Sequence, residues 1–147
     1  MARSARTAQT TDLPTAIKAT AWLQIAEQGA ANLSLRAIAR ALDITAPAIY
    51  NYYPCRDDLV TALIIDAYTS FGDSQLAARD SLPTSDLVGR WWATGLAYRS
   101  WALAHPQRYQ LLFGAPIPGY QPPNEQIMPA AARSLSALRR ASITLSR

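Results

Sequence analysis

The sequence predicts an all-α protein, in which a three-helix head containing a helix-turn-helix is followed by a helical bundle. Apolar residues recur at the i, i+3, i+4, i+7 spacing of a helix, as in Leu35, Ile38, Ala39 and Leu42. A second short helical pattern follows after a break of three or four residues. Two helices joined so tightly have the helix-turn-helix geometry, in which the second helix enters the major groove of DNA.

The chain begins with a segment, residues 1–12, that we predict to be a flexible basic arm. Its small and polar residues, together with Arg3 and Arg6, cannot form a packed element. Two interpretations stay open. The segment is either an unstructured terminus or an arm that reaches a phosphate or the minor groove, as basic arms of other helix-turn-helix proteins do.

The head is predicted over residues 13–59 and starts with a helix over Leu13–Gln28. We expect Asp12 to cap this helix and Gly29 to end it. Its apolar residues are Ile17, Ala21, Trp22, Leu23, Ile25 and Ala26. The first two helices serve, in this interpretation, to hold the third helix rigidly at the surface.

The two helices of the helix-turn-helix have clear starts. Ser34 stands before the second helix and Thr45 before the third, and each hydroxyl can accept a hydrogen bond from a free amide of the first turn. The third helix is predicted from Ala46 to about Tyr53, with Pro47 in its first turn, where a missing N–H costs little. In the turn between them, Asp43 tolerates left-handed backbone geometry better than most residues.

The second half of the chain, residues 60–147, is predicted to be a bundle. Helices are expected over residues 56–79, 107–113 and 125–147, the last interrupted early by Pro129. Residues 115–123 contain four prolines, too many for a helix, and are predicted to be extended at the surface.

A further helix, predicted over residues 87–105, is apolar on two sides. One stripe consists of Leu87, Trp91, Thr94, Tyr98 and Trp101, and the other of Val88, Trp92, Gly95, Leu96 and Leu103. Because a helix that is apolar around most of its circumference is buried in the middle of a bundle, we expect both stripes to be covered. Glycine costs about 1 kcal/mol against alanine in a helix, so Gly95 indicates close packing or space for a ligand.

Composition narrows the class of protein. The 147 residues are 50% apolar, which is enough for a real core. The net charge of +4 is compatible with an anionic partner. A single cysteine, Cys55, excludes an intrachain disulfide framework, and there is neither a membrane-spanning apolar run nor the core of a signal peptide. We therefore expect a soluble, cytoplasmic protein.

No catalytic or metal-binding constellation is evident in the sequence. His105 is the only histidine, there is no second thiol, and spacing places no paired carboxylates or nucleophile–base pair. A helix-terminal His105 satisfied by backbone groups is the plainer interpretation. We therefore expect no enzymatic activity, no bound metal and no cofactor.

The stretch Ser34–Leu59 resembles the DNA-binding signature of the TetR family of bacterial transcriptional repressors. The resemblance is carried by Arg36-Ala37-Ile38-Ala39, Leu42-Asp43-Ile44-Thr45, Ala48-Ile49-Tyr50-Asn51-Tyr52-Tyr53 and Arg56-Asp57-Asp58-Leu59. It implies that Tyr50, Tyr52 and Arg56 contact the DNA backbone, which fixes register without reading sequence.

Base readout would then fall to the other residues of this surface, namely Arg36, Thr45, Ala46, Pro47, Ala48 and Asn51. Arginine can pair with the O6 and N7 atoms of guanine, and an alanine methyl can pack on the methyl group of thymine. Core packing is the competing interpretation for the tyrosines, and we assign it to Tyr53 together with Ile49.

The second half resembles the C-terminal regulatory domain of a TetR subgroup marked by a spaced Trp, His and Gly. The residues concerned are Trp101-Ala102-Leu103-Ala104-His105-Pro106, Tyr109, Leu112-Phe113-Gly114 and Pro118-Gly119-Tyr120. The resemblance implies a ligand-binding and dimerisation domain over residues 60–147. Members of this family are usually longer, and their last two helices build the dimer interface. Against that pattern we expect the helical regulatory bundle of this chain to be shortened at the C-terminus, and the domain to be incomplete.

Aromatic residues of this domain belong either to its core or to an effector pocket, since such pockets are lined mainly by apolar and aromatic side chains. The pocket candidates are Trp91, Tyr98, Trp101 and Tyr109.

Together these features predict a ligand-responsive transcriptional regulator, in the simplest case a repressor that binds a palindromic operator as a homodimer. Its partners would be double-stranded DNA and a small-molecule effector, without a membrane. The alternative is a truncated paralogue that heterodimerises with a full-length regulator and binds DNA weakly. A small helical enzyme is disfavoured, because the residue sets it would need are missing.

Overall fold

A computed structural model describes residues 12–142, and the regular elements in this range are all helical, as predicted. The helices are α1 (Leu13–Gln28), α2 (Leu35–Ala41), α3 (Ala46–Tyr50), α4 (Arg56–Asp80), α5 (Leu87–Ala104), α6 (Pro106–Phe113) and α7 (Asn124–Ser142), with a 3₁₀ turn at Ala30–Asn32. The predicted arm lies outside the described residues, except for Asp12. Among the described helices, none is long and apolar enough to cross a membrane.

The chain divides into two compact units between Val60 and Thr61. We call residues 12–60 the head and residues 61–142 the bundle. The first turn of α4 belongs to the head, and the rest of that helix belongs to the bundle.

The head has a core to which each of its helices contributes. The buried residues are Ile17, Ala21, Ile25, Leu33, Leu35, Ile38, Ala39, Ile49, Leu59 and Val60. Leu23 was predicted to share the apolar side of α1, but 66% of it is exposed. The prediction was wrong because each residue turns a helix by about 100°, so Leu23 points away from the face that carries Ala21 and Ile25.

Two of the three predicted N-caps form. Ser34 Oγ accepts from the amide of Ala37 at 3.2 Å, and Thr45 Oγ1 accepts from the amide of Ala48 at 3.3 Å. The side chain of Asp12 makes no such bond, so this prediction was wrong. Its ψ is 22°, whereas Ser34 and Thr45 have ψ of 117° and 153° in the extended region that aims a capping side chain at the first turn.

α3 is shorter than predicted and ends at Tyr50 rather than near Tyr53. The amides of Tyr52 and Tyr53 both donate to the carbonyl of Ile49, so the chain closes a tight turn there. Pro54 explains the early end, because a residue that precedes proline is disfavoured in helical backbone geometry.

The bundle is built around Phe71 of α4, which is almost fully buried. Its ring centroid lies 4.9 Å from that of Tyr98, 5.0 Å from Trp101 and 5.7 Å from Phe113, so α4, α5 and α6 meet at this ring. Helix α7 packs on α4 at Gly72, where an added Cβ would come within 3.0 Å of the Ser134 Cα. A larger residue at position 72 would therefore push these two helices apart.

Described residues cover most of the first apolar stripe of α5 but not the second. In the first stripe, Thr94 and Trp101 are buried and Leu87 and Tyr98 are half-buried, whereas Trp91 is 55% exposed and departs from the prediction. The second stripe is exposed along its whole length, which contradicts the expectation that α5 is buried on both sides. The described helices pack against one side of α5 only, because α4, α6 and α7 leave its opposite side open.

The C-terminal segments largely follow their predictions. Residues 114–123 contain no helix, as their prolines predicted. α7, however, continues through Pro129 instead of being interrupted there. The apolar periodicity of this segment predicts a buried side made of Ile127, Leu135, Leu138 and Leu145. Ile127 is buried and Leu138 half-buried, Leu135 is exposed, and Leu145 lies outside the described residues.

Candidate nucleic-acid interface

α3 is held to the head by one side and exposed on the other. Ile49 is fully buried and anchors the helix, while Thr45 Oγ1 satisfies its first turn. The opposite side is solvent-exposed and consists of Thr45, Ala46, Pro47, Tyr50 and Asn51, whereas Ala48 is half-buried. This short helix therefore presents a surface of small and polar groups that can approach another molecule closely.

The turn before α3 fixes its position by backbone hydrogen bonds. The amide of Ile44 donates to the carbonyl of Ala39, and the amide of Asp43 donates to that of Arg40. This is the Schellman pattern, which needs a residue of left-handed geometry at its centre. Asp43 supplies it with a φ of 53°. The sequence-based expectation about this aspartate is therefore confirmed.

The two candidate tyrosines reach solvent beside α3. Tyr50 is 37% exposed and Tyr52 is 46% exposed. Within the described residues, neither hydroxyl has a hydrogen-bond partner. Each phenol is thus free to donate to a phosphate oxygen while its ring packs on the head. Tyr53, which the sequence assigned to the core together with Ile49, is half-buried.

Arg36 is exposed on α2, and Arg40 lies one turn further along the same helix and is exposed as well. Side chains four residues apart share one face of a helix, so the two guanidinium groups can act together. Arg40 was missed in the sequence-based set of candidates. The i, i+4 spacing to Arg36 was the signal that could have found it.

Arg56 is less free than the other candidates. Its Nε and Nη2 atoms donate to Asp57 Oδ1 at 3.2 and 3.1 Å, and Nη1 donates to the carbonyl of Ala31 at 3.2 Å. The side chain thus ties the start of α4 to the 3₁₀ turn after α1, and Asp57 neutralises its charge. A phosphate contact at Arg56 would have to use the remaining N–H donors.

At the start of α4, the Asp58 carboxylate accepts two hydrogen bonds from Cys55. Asp58 Oδ2 accepts from the Cys55 amide at 3.3 Å and from its thiol at 3.1 Å. A carboxylate three residues into a helix that accepts from the capping amide is half of a capping box. This geometry explains how cysteine can stand at a position where serine or asparagine would be the stronger cap.

The head is not basic as a whole. From Asp12 to Val60 the sequence has four basic side chains and five acidic ones, so the positive net charge of the protein arises elsewhere. Any attraction of the head for an anion must therefore come from where its arginines lie, with Arg36 and Arg40 on α2 as the exposed pair.

The predicted effector-pocket residues divide into two groups. Tyr98, Trp101 and Tyr109 belong to the aromatic cluster around Phe71, in which the hydroxyls of Tyr98 and Tyr109 are 3.3 Å apart and Trp101 Nε1 donates to Ser70 Oγ at 2.9 Å. The hydrogen bond with Tyr109 and burial raise the pKa of Tyr98 to about 12. Trp91 is 55% exposed and makes no ring contact with the described members of this cluster.

His105 joins the same cluster from the end of α5. Its ring lies 5.3 Å from that of Trp101, and burial, assisted by the charge of Arg108, lowers the pKa of His105 below its usual value. The side chain therefore favours its neutral form. Among the described residues, no group of three or more His, Cys, Asp or Glu side chains could hold a metal ion.

Two family models match this chain. Residues 17–63 match the bacterial regulatory proteins of the tetR family, and residues 91–145 match the tetracyclin repressor-like C-terminal domain. The first match covers most of the head and the second covers most of α5 and all of α6 and α7. The finer assignment to a subgroup marked by Trp, His and Gly stays a prediction.

Curated relatives give the same result. Mb1846 of Mycobacterium bovis (strain AF2122/97) and Rv1816 of Mycobacterium tuberculosis (strain H37Rv) are both named HTH-type transcriptional regulators. Each is 40% identical to this chain over 114 residues, which is 78% of this chain and 49% of the relative. The chain thus spans about half the length of the curated relatives it matches.

Solved structures agree as well. The crystal structure of SCO4313, a protein assigned as regulatory, superimposes with a TM-score of 0.78 at 45% identity, over 89% of this chain and 61% of that one. A protein of unknown function from Rhodococcus sp. RHA1 gives a TM-score of 0.74 at 25% identity, over 88% and 66% of the two chains. With both family models matched in order and these relatives alike in sequence and fold, the chain belongs to the tetR family of bacterial regulatory proteins.

Proposed function

We propose that this protein is a sequence-specific DNA-binding regulator that binds a palindromic operator as a homodimer. In this proposal it acts as a repressor and responds to a small-molecule effector. The observation that carries the proposal is the exposed side of α3, held in place by the buried Ile49 on its opposite side. A helix anchored in this way and bare of bulky charged groups fits the major groove, where its first residues meet base edges.

The proposed contacts divide by role. Tyr50, Tyr52 and the remaining donors of Arg56 would hold phosphates, and Arg40 joins them as an exposed cation. Arg36 offers a guanidinium that can pair with guanine. The residues of α3 offer mainly methyl and methylene contacts, so its base preference would rest on thymine methyl groups more than on hydrogen bonds.

The effector site is proposed at the aromatic cluster of the bundle. Gln75, which is 1% exposed, lies one turn after Phe71, and its Oε1 atom has no hydrogen-bond partner among the described residues. Its Nε2 atom donates to the carbonyl of Phe71 at 3.2 Å, so the orphan atom is the acceptor. A buried acceptor without a partner favours a ligand that is largely apolar and carries an N–H or O–H donor. Such a ligand regulates DNA binding only through different affinities for two states of the protein.

The experiment is a selection from a library of random DNA duplexes with the purified chain, followed by titration of the selected sequence. We expect an enriched palindrome whose half-sites lie one helical turn apart. Tyr52→Phe should weaken all sequences alike. Arg36→Ala should cost about 1–3 kcal/mol at one base pair and relax the preference there. Arg133→Ala in the bundle, which removes the same charge from a surface ion pair with Asp73, is the matched control. No enriched sequence would contradict the proposal.

The charge distribution of the head predicts a shallow salt dependence. If Arg36, Arg40 and Arg56 were the cations of each copy at phosphates, the slope of log affinity against log salt would be no steeper than about −5 for a dimer. A steeper slope that becomes shallower when residues 1–11 are removed would assign the difference to Arg3 and Arg6. A slope of zero would contradict DNA binding by these arginines.

A further inference from the structure

The start of α2 is held by a side chain that comes from another helix. Gln24 lies in the C-terminal half of α1, and its Oε1 atom accepts a hydrogen bond from the amide of Ser34 at 2.7 Å. The two residues are ten positions apart in the sequence, and both are half-buried. The distance is at the short end of the range for an N–H···O bond, and water weakens a partly buried bond less than an exposed one. Gln24 thus joins α1 to the first turn of α2.

This bond completes a motif that α2 itself leaves incomplete. In a capping box, the N-cap hydroxyl accepts from the amide of the third helical residue, and a Glu or Gln at that position accepts from the N-cap amide. Ser34 Oγ accepts from the Ala37 amide at 3.2 Å, but alanine has no side-chain acceptor for the second bond. Gln24 supplies the missing acceptor from α1. A capping bond that is normally local is here also a link between two helices.

The segment between α1 and α2, residues 29–34, is tied to α4 as well. Arg56 Nη1 donates to the carbonyl of Ala31 at 3.2 Å, across 25 positions of the sequence. The segment is therefore held by one long-range hydrogen bond from α1 and one from α4, and these two bonds restrict where α2 can begin.

α2 is short, and its apolar contacts alone leave its orientation weakly determined. The helix has seven residues, about two turns, and its buried residues are Leu35, Ile38 and Ala39. The hydrophobic effect has no preferred direction, so these contacts tolerate a small rotation or shift of the helix. A hydrogen bond is directional and opposes such a movement. Gln24 therefore limits the movement of α2 relative to α1.

Arg36 depends on this limit because it lies in the first turn of α2. It is the second residue after the cap Ser34, and its side chain is exposed. Recognition of guanine by a guanidinium uses two parallel hydrogen bonds, to O6 and N7, and their geometry is specific. A shift in the start of α2 carries the backbone of Arg36 with it and weakens both bonds at once.

We propose that Gln24 is a positioning residue for base readout: by holding the Ser34 amide it sets where α2 begins and thereby aims Arg36 at its base pair. The inference rests on the proposed DNA-binding function and deepens it by adding a specificity-determining residue from α1. Gln24 acts in this proposal through Ser34 and Arg36.

The test measures base preference, because this ratio of affinities does not depend on how much of the protein is folded. Partial unfolding lowers the apparent affinity for every duplex by the same factor. The two duplexes are the selected operator and a copy changed at the base pair whose preference Arg36→Ala relaxes. Gln24→Met should lower the ratio about two- to tenfold, which corresponds to the net contribution of one hydrogen bond. An unchanged ratio would overturn the proposal.

Two variants of α1 serve as controls. Gln24→Glu keeps an acceptor at the same place and should preserve the ratio, since any repulsion by its charge weakens binding to both duplexes alike. Gln28→Met replaces an exposed glutamine one turn further along the helix and should preserve the ratio too. If Gln28→Met lowered the ratio as much as Gln24→Met, the hydrogen bond to Ser34 would not be the cause and the proposal would fail.

A double variant separates positioning from capping. Adding Ala37→Gln to Gln24→Met provides the local acceptor of an ordinary capping box. We expect Gln24→Met to lower the midpoint of thermal unfolding by about 2–4 °C and the added Ala37→Gln to restore it. The base preference should stay low, because α1 and α2 are still not joined. Recovery of both quantities would show that Gln24 acts only as a cap, and would overturn the proposal.

Combination with Arg36→Ala tests the route from Gln24 to the base pair. If Gln24 acts through Arg36, Gln24→Met should lower the ratio no further in an Arg36→Ala background. An equal loss in both backgrounds would contradict that route. A chain that selects no operator overturns the proposed function together with this inference. A chain that selects an operator whose base preference survives Gln24→Met keeps the proposed function and overturns this inference alone.

Discussion

The head and the bundle differ in how completely they bury their own apolar residues. In the head, the large apolar side chains exposed among described residues are Leu23 and the two tyrosines assigned to DNA. In the bundle, no described residue covers the outer side of α5, and Met128 and Leu135 of α7 are exposed as well. The head is therefore a unit whose exposed surface is mostly polar. The bundle carries a large apolar surface that no described residue covers.

This difference shows that a regular apolar pattern along a helix predicts a face that favours burial, but does not identify the residues that cover that face. Ile49 and Trp92 both occur in apolar helical patterns, yet the first is fully buried and the second is 63% exposed. Single substitutions in the head and in the bundle test this difference in burial.

The largest effect is expected at Ile49, which alone anchors the buried side of α3. Ile49→Ala should lower the free energy of unfolding by about 2–5 kcal/mol, because it removes a fully buried side chain and leaves a cavity. Urea denaturation followed by circular dichroism measures this loss. Leu23→Ala, at an exposed apolar position of the same unit, should change stability by no more than about 0.5 kcal/mol. If both variants lost the same free energy of unfolding, Ile49 would not be part of a buried core of the head.

An intermediate effect of opposite sign is expected at Gln75 in the bundle. Gln75→Met keeps the shape of the side chain but removes a buried acceptor that has no partner among the described residues. We therefore expect it to stabilise the protein by about 1 kcal/mol. Thermal unfolding should show a rise of about 2–4 °C for a chain of this size. Gln110→Met, at an exposed position of α6, is the control and should show no rise. Destabilisation by Gln75→Met would indicate that Oε1 is already satisfied, for example by a buried water molecule.

The smallest effect is a pH dependence that the head does not share, because His105 in the bundle is the only histidine of the chain. Its pKa in the folded protein is lowered, so the unfolded chain binds the proton more tightly. Stability contributed by neutral His105 is therefore fully present above the unfolded pKa of 6.5, and it is lost as the pH falls below 6.5 and through the lowered pKa of the folded protein. His105→Gln should flatten this dependence in unfolding curves measured between pH 7.5 and 5.5. An unchanged slope would contradict a role for burial at this ring.

Local rules predicted most of the head. The N-caps at Ser34 and Thr45, the left-handed Asp43 and the start of α4 at Arg56 all depend on groups within four residues of one another. Interactions of such short range are readable from a single sequence. The failures there are also local, since Pro54 ends α3 early and the backbone at Asp12 turns its side chain away from the cap.

The sequence identified the candidate DNA-binding residues, but it did not show which of their side chains are already engaged in hydrogen bonds within the head. Arg36, Tyr50 and Tyr52 are exposed, whereas Arg56 is engaged by Asp57 and by the carbonyl of Ala31, 25 residues earlier. A contact over that separation depends on how α1 and α4 pack, which no spacing rule gives. Arg40 could have been found from its position one turn after Arg36.

The sequence by itself determined the all-α class, the helix-turn-helix and the two apolar stripes of α5, because periodicity and capping are properties of neighbouring residues. Only the tertiary structure decided which stripe of α5 is covered, since burial depends on which helices occupy the space around it. It also decided that the ring of Phe71 contacts Tyr98, Trp101 and Phe113, and that the buried Oε1 atom of Gln75 has no hydrogen-bond partner among the described residues. These features arise from packing between distant segments, and a pattern along one helix carries no information about the neighbour it meets.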